Sequence, residues 1–127
     1  MIYASIDVGL KRIGVAVCLD EKIVFPKDAI MRKNRQQAAR DVDAFLKAWD
    51  VDVLVVGIPK SGSSAQEMQR RIHHFVSLLC FDKKIEFQDE YGSSLEAQEM
   101  MKGVTKQRKD GKIDSLAAKI ILERWLS

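Results

Sequence analysis

The stretch IYASIDVGLKRIGVAVC, residues 2–18, contains two β-branched, apolar runs separated by a short turn. The first run ends at Asp7, Gly9-Leu10-Lys11 forms the turn, and the second run extends from Arg12 to Cys18. This pattern predicts a strand, a tight turn and a second strand antiparallel to the first. The fold is therefore expected to open with a β-hairpin.

The rest of the chain predicts a third strand and then an alternation of helices and strands. The third strand begins at Ile23-Val24-Phe25, and Pro26 favours an edge position because proline cannot donate a ladder hydrogen bond. The unalternating apolar run Val53 to Gly57 is typical of a central parallel strand covered on both faces. The last strand is expected at Ile85 to Gln88.

Apolar residues at helical spacing predict two helices before the last strand, each opening with a capping box: Asn34 with Gln37, and Ser64 with Glu67. A third helix is expected from Ser93 to about Met101, and a final one from about Ile113 to Trp125. The order βββαβαβα predicts an α/β domain with a mixed sheet packed by helices.

Composition indicates one globular domain spanning residues 1–127, with 46% hydrophobic and 31% charged residues. No apolar stretch is long enough to span a bilayer, and the start of the chain lacks a basic segment, so a cytoplasmic protein is expected. Cys18 and Cys80 match no metal or redox spacing, and buried reduced thiols are the simplest interpretation.

The net charge of +3 is unevenly distributed. The segment from Lys102 to Lys112 holds five basic residues and one acid, Asp110, so the remainder of the chain is close to neutral. A second local excess of positive charge is formed by Arg32, Lys33 and Arg35. Such clusters can attract phosphates, and a merely solvated loop is the alternative.

Asp114 is the most informative single residue. It lies within the same helical stripe as Ala117, Ala118, Ile121 and Trp125, which must face the sheet. A buried carboxylate there needs a cation or a hydrogen-bond network, and an ordinary acid at a helix N-terminus is the alternative. The two small alanines would let this helix approach the sheet closely.

Two further acids follow strands: Asp7 ends the first, and Glu90 follows the last. If these strands lie side by side, both carboxylates and Asp114 converge at one edge of the sheet. A divalent metal would relieve their mutual repulsion, and oxygen ligands favour magnesium or manganese over zinc. Taken singly, each acid could equally be an ordinary polar strand end.

Four motifs resemble the YqgF, or RuvX-type, family of Holliday-junction-resolvase-like nucleases. Residues 7–16, DVGLKRIGVA, resemble the family signature D-x-G-x-K-R-I-G-x-A. In the same order, residues 55–59, 89–94 and 113–118 resemble the family's V-V-G-L-P, D-E-R-L-T-T and D-x-x-A-A motifs. The resemblance covers nearly the whole chain.

The resemblance implies a ribonuclease H-like fold: a five-stranded mixed sheet in the order 3-2-1-4-5 with helices on both faces. It also implies an endonuclease that hydrolyses phosphodiester bonds with two divalent ions, Mg²⁺ or Mn²⁺, held by Asp7, Glu90 and Asp114. Processing of the 5′ end of precursor 16S rRNA is the favoured role, with RNA as the favoured nucleic acid and structured DNA as the alternative.

The basic residues near these acids are expected to contact phosphates. They are Lys11, Arg12, Lys106, Arg108, Lys109 and Lys112. His73 and His74 are adjacent on a helix, point to different sides and are expected at the surface.

Two departures from the family leave alternatives open. Tyr91 stands where the family has arginine, and the loop from Gly57 to Gly62 is shorter than usual. A Holliday-junction resolvase, or a nucleic-acid-binding protein that has lost catalysis, therefore remains possible, as does either a monomer or a homodimer. Asp110 or Asp89 could supply a fourth carboxylate.

The glycine spacing after Asp7 also resembles the phosphate loop of actin-like ATPases, but the chain is too short for their paired domains.

Overall fold

The computed structural model describes residues 1–90 and 112–127, with side chains from Ser115 onward in the second stretch. Its strands are β1 (Tyr3–Val8), β2 (Arg12–Cys18), β3 (Val24–Met31), β4 (Val53–Ile58) and β5 (Lys84–Asp89). Its helices are α1 (Arg35–Ala48), α2 (Ala65–Ser77) and α3 (Lys112–Leu126). The helix predicted from Ser93 to Met101 and most of the basic segment lie outside the described residues.

The five strands form one mixed sheet in the order β3-β2-β1-β4-β5, which confirms the predicted order. β1 pairs antiparallel with β2 and parallel with β4, and β5 pairs parallel with β4. The hairpin predicted from residues 2–18 is present, with Asp7 opposite Gly14. Pro26 lies in the edge strand β3, as predicted, although β3 extends well beyond Phe25.

Helices cover both faces of the sheet, as predicted. On one face, α1 and α2 pack on alternate residues of the strands, including Ile6, Val15 and Leu54. On the other face, α3 packs through Ala118 and Ile121 on the intervening strand residues. β4 has every residue buried, as expected for a central strand between two helical layers.

The two predicted capping boxes have different outcomes. Asn34 accepts a hydrogen bond from the Gln37 backbone N–H, and the Gln37 side chain accepts one from the Asn34 N–H. The box at Ser64 is wrong: its backbone (φ −108°, ψ 12°) is not extended, and its side chain makes no capping hydrogen bond. Glu67 instead forms an ion pair with Arg71.

The cysteine prediction is half right. Cys18 is buried in β2, but Cys80 is exposed. Cys80 lies in the loop between α2 and β5, where its backbone N–H donates to the carboxylate of Asp43 at 3.0 Å. No helix in the described part of the chain is long and apolar enough to cross a membrane.

Candidate metal centre

Asp7 lies near the carboxyl end of β1 and faces α3. Side chains alternate along a strand, so Asp7 shares a face with Tyr3 and Ser5. That face is covered by α3, because Tyr3 packs in the α3 core and the Ser5 hydroxyl donates to a backbone carbonyl of that helix. Asp7 is half-buried, whereas Ser5 is fully buried. Asp7 is thus positioned where the α3 layer reaches the edge of the sheet.

Glu90 is fixed at the same edge by the end of β5. Its backbone N–H donates to the Ile58 carbonyl at 3.0 Å, which continues the β4–β5 pairing by one residue. Phe87 and Ile85 pack on the α1/α2 face, so the alternate residues Gln88 and Glu90 belong to the α3 face. Asp7 and Glu90 therefore lie on one face and at one edge.

β1 and β5 do not lie side by side: β4 runs between them, in agreement with the predicted strand order 3-2-1-4-5. Two strand spacings separate the backbones of β1 and β5 by about 10 Å. The intervening position is Gly57, which pairs with Gln88 and follows Val56, the partner of Ile6. The two carboxylates thus flank a residue that has no side chain.

The space above Gly57 is occupied by its neighbours. A Cβ atom at Gly57 would lie 3.2 Å from Glu90 Oε2 and would collide with Cδ1 of Ile121 in α3. A side chain at this position would therefore displace Ile121 and press on the Glu90 carboxylate, which lies above β4. Sequence reasoning did not identify Gly57 as part of the site; the signal was a glycine within an otherwise apolar, buried strand.

The start of α3 reaches the same edge because α3 runs antiparallel to β1. The Tyr3 and Trp125 rings are 5.7 Å apart, and Ser5 Oγ donates to the Ala118 carbonyl at 2.6 Å. Four helical residues before Ala118 cover about 6 Å, and two strand residues beyond Ser5 cover nearly the same distance. The backbone of Asp114 is therefore placed level with Asp7.

Two further polar contacts hold the first turns of α3 against the sheet. The buried hydroxyl of Ser115 donates to the Lys27 carbonyl in β3 and accepts from the Val15 N–H at 3.5 Å. Ala118 is fully buried against the strands and its carbonyl accepts from Ser5, so the helix approaches the sheet closely at this residue; Ala117 is also fully buried but packs with Ile120 in a separate cluster. Sequence reasoning missed Ser5 and Ser115, since serine residues in apolar segments carry little pattern.

The structure tests only part of the predicted three-carboxylate cluster. The Asp114 side chain is outside the described residues, so its convergence with Asp7 and Glu90 stays a prediction. Among the residues that the structure describes, no group of three or more histidine, cysteine, aspartate or glutamate side chains could hold a metal ion. Asp89 pairs with Ile58, and strand alternation assigns it to the α1/α2 face, away from Glu90. Asp110 lies outside the described residues.

The predicted basic residues are described only at the β1–β2 turn. Lys11 is exposed, and Arg12 is half-buried where β2 begins. The turn is closed by the Gly9 N–H, which donates to the Arg12 carbonyl at 3.0 Å. The side chains of Lys106, Arg108, Lys109 and Lys112 lie outside the described part. His73 and His74 are exposed, as predicted.

A family model described as "RuvX: Holliday junction resolvase" matches residues 1–127. The chain belongs to the RuvX family. Sequence relatives agree: a protein of Sulfurovum sp. named "Putative pre-16S rRNA nuclease" is 64% identical over 100% of this chain and 99% of its own. A protein of the same name from Sulfurimonas denitrificans is 53% identical over 99% of this chain and 97% of its own.

A solved structure shares the fold of this RuvX chain. Thermus thermophilus RuvC, in complex with a Holliday junction substrate, superposes with a TM-score of 0.59 at 14% identity. The match covers 99% of this chain and 93% of RuvC. At this identity the similarity concerns the fold, which is the ribonuclease H-like fold that the sequence motifs implied.

Proposed function

We propose that this RuvX chain is a divalent-metal-dependent endonuclease that hydrolyses phosphodiester bonds, with Asp7, Glu90 and Asp114 as the catalytic metal ligands. The observation that carries the proposal is the pair of carboxylate-bearing positions on either side of Gly57. The family model and the names of the sequence relatives support a nuclease.

The residues present fit a hard divalent cation. Asp7 and Glu90 offer only oxygen donors, and Mg²⁺ and Mn²⁺ prefer such ligands. Glu90 Oε2 lies 3.2 Å from where a Cβ atom of Gly57 would be, so this carboxylate lies above β4 on the face of the sheet that carries Asp7. The start of α3 is level with Asp7, which is where a third carboxylate from Asp114 would complete the set. We propose that the site binds two ions.

When bound, two divalent ions lower the pKa of an attacking water and stabilise the leaving oxygen in phosphodiester hydrolysis. Asp7 and Glu90 would hold the ions from the rigid ends of two strands, so their positions change little during the reaction. No protein nucleophile is required. The basic residues are assigned to contacts with the sugar-phosphate backbone of the substrate, which position the nucleic-acid strand independently of its base sequence. These are Lys11, Arg12, Lys106, Arg108, Lys109 and Lys112.

The proposed substrate is precursor 16S rRNA, cut at its 5′ end in the cytoplasm. The names of two relatives that cover nearly the whole chain support this choice. Holliday-junction DNA is the second candidate, supported by the description of the family model. Symmetric resolution of a four-way junction would require a homodimer, whereas RNA processing is compatible with a monomer.

The test is a cleavage assay on three labelled substrates: a precursor 16S 5′ leader, an unrelated single-stranded RNA and a four-way DNA junction. Each is incubated with Mg²⁺, Mn²⁺ or EDTA. Wild type is compared with Asp7→Asn, Glu90→Gln and Asp114→Asn, and Glu86→Gln is the matched control. Glu86 lies on the same face of β5 as Glu90, but four residues earlier, where it pairs with Lys84 at 3.2 Å.

The proposal is supported if wild-type cleavage requires a metal ion, if the rate falls at least about 100-fold in the three site variants, and if Glu86→Gln still cleaves. The substrate that is cut would distinguish RNA processing from junction resolution. Wild-type protein that binds these substrates but cuts none of them with either metal would instead identify a binding protein that has lost catalysis.

A further inference from the structure

Four arginines from two distant parts of the chain meet at one cavity on the α1/α2 face. Arg32 and Arg35 lie where β3 gives way to α1, and Arg70 and Arg71 lie in α2. The cavity has a volume of about 510 Å³, and its lining is completed by Leu10 and His74. The nuclease function proposed above uses none of the four arginines.

The positive charge around this cavity is only partly balanced. Arg71 forms an exposed ion pair with Glu67 at 2.9 Å. Within residues 1–90 and 115–127, no salt bridge involves Arg32, Arg35 or Arg70. Burial lowers the pKa of Arg32, and the nearby charges of Arg35 and Arg71 lower it further. Because these positive charges repel one another, binding of an anion between them is favourable.

Two of the four arginines, Arg32 and Arg35, are held in place by contacts within the protein. Arg32 Nη1 donates to the Gly9 carbonyl at 2.8 Å, and its guanidinium lies over the Phe75 ring, 5.5 Å from the centroid. Arg35 Nη1 lies 3.2 Å from His74 Nε2, which joins α1 to α2 across the cavity. Guanidinium groups fixed in this way lose little freedom when they bind phosphate oxygens in a bidentate manner.

The cavity adjoins the β1–β2 turn, which begins two residues after Asp7. Gly9, which accepts from Arg32, is two residues after Asp7, and Leu10 of the same turn lines the cavity. The carboxylates lie on the α3 face and the arginines on the α1/α2 face, so the turn separates the two groups at one edge of the sheet. A strand with one phosphate at the carboxylates could cross the turn at exposed Lys11 and reach the arginines.

We propose that Arg32, Arg35, Arg70 and Arg71 form a groove that binds the sugar-phosphate backbone of the substrate strand beyond the cleaved bond. The inference rests on the proposed nuclease function, which supplies the strand, and adds a binding site on the face opposite the carboxylates. Contacts through guanidinium and phosphate are independent of base sequence. The groove therefore contributes affinity and orientation rather than sequence preference.

The test measures RNA binding by fluorescence anisotropy with EDTA present, so that no cleavage is needed. The variant is Arg70→Gln/Arg71→Gln, both exposed on α2 and neither involved in the Gly9 contact. The control is Lys22→Gln/Lys47→Gln, which removes the same charge at the opposite edge of the sheet, where both lysines are exposed. Circular dichroism confirms that each variant is folded.

Loss of two phosphate contacts should make the plot of log affinity against log salt concentration less steep by about 1.4. Near 0.1 M salt this change corresponds to about a 25-fold loss of affinity. The control should show a much smaller change in affinity. The groove is overturned if the arginine variant binds as wild type does, if the control loses as much affinity, or if wild type does not bind RNA. Wild-type protein that binds RNA through these arginines but cuts nothing with metal would support the groove and contradict the nuclease function.

Discussion

Gly57 is the residue on which the relation between Asp7 and Glu90 depends. It separates their strands, and its missing side chain admits both the Glu90 carboxylate and the Ile121 side chain above β4. Its role needs no unusual backbone conformation, because the requirement is space. A glycine in a buried strand normally weakens that strand, so its presence here indicates a close approach by another group.

Gly57→Ala is expected to lower the free energy of unfolding by about 1–3 kcal/mol, since the added methyl overpacks the α3 interface. It should also reduce metal-dependent cleavage, because the methyl presses on Glu90 Oε2. Chemical denaturation measures the first effect and the cleavage assay the second.

Ile121→Val supplies the control for Gly57→Ala, because it removes the Cδ1 atom that the new methyl would meet. In the double variant, stability should recover relative to the sum of the single changes, while cleavage stays low because the contact with Glu90 remains. A Gly57→Ala protein with wild-type stability and activity would contradict this account of the site.

The strands and helices follow largely from local sequence pattern, and their attachment to one another does not. Apolar periodicity placed α3 within a residue of its observed ends and identified β4 as central. The polar contacts that set the position of α3 along β1, from Ser5 and Ser115, join residues about a hundred positions apart. No local pattern reports such pairs. The prediction at Ser64 failed for a local reason, because the backbone there is not extended as a capping serine requires.

Ser5→Ala is expected to lower the free energy of unfolding by about 1 kcal/mol, the usual contribution of one buried hydrogen bond. The Ser5 hydroxyl is fully buried and donates to the Ala118 carbonyl at 2.6 Å. Urea denaturation of the variant measures the change. Ser63→Ala, in the exposed loop before α2, should leave stability unchanged. Equal effects at the two serines would show that the contact does not anchor α3.

The two helical layers share a single sheet, so we expect the described parts of the chain to unfold together. Each face of the sheet has one tryptophan that can serve as a fluorescence probe, because Trp49 packs on the α1/α2 core and Trp125 on the α3 core. Both cores use alternate residues of the same central strands, and neither survives without the sheet. That residues 1–127 form one domain stays a prediction, and cooperative unfolding is its test.

Cooperative unfolding can be measured with single-tryptophan proteins, Trp49→Phe and Trp125→Phe. In each variant, the fluorescence midpoint in urea should coincide with the midpoint of its own circular dichroism, as in a two-state transition. If the Trp125 signal changed at a lower urea concentration than the circular dichroism, α3 would be a separately unfolding unit and the single-domain prediction would be wrong.

Local periodicity in the residues was enough to predict the order of strands and helices, and the motifs were enough to predict the sheet order and the family. Apolar spacing and turn residues act over a few positions, so they can be recognised in the sequence alone. The juxtaposition of Arg32 and Arg35 with Arg70 and Arg71 arises only from packing, and so does the position of Gly57 between Asp7 and Glu90. They depend on which strands and helices become neighbours, and contacts between residues tens of positions apart leave no periodic trace in the sequence.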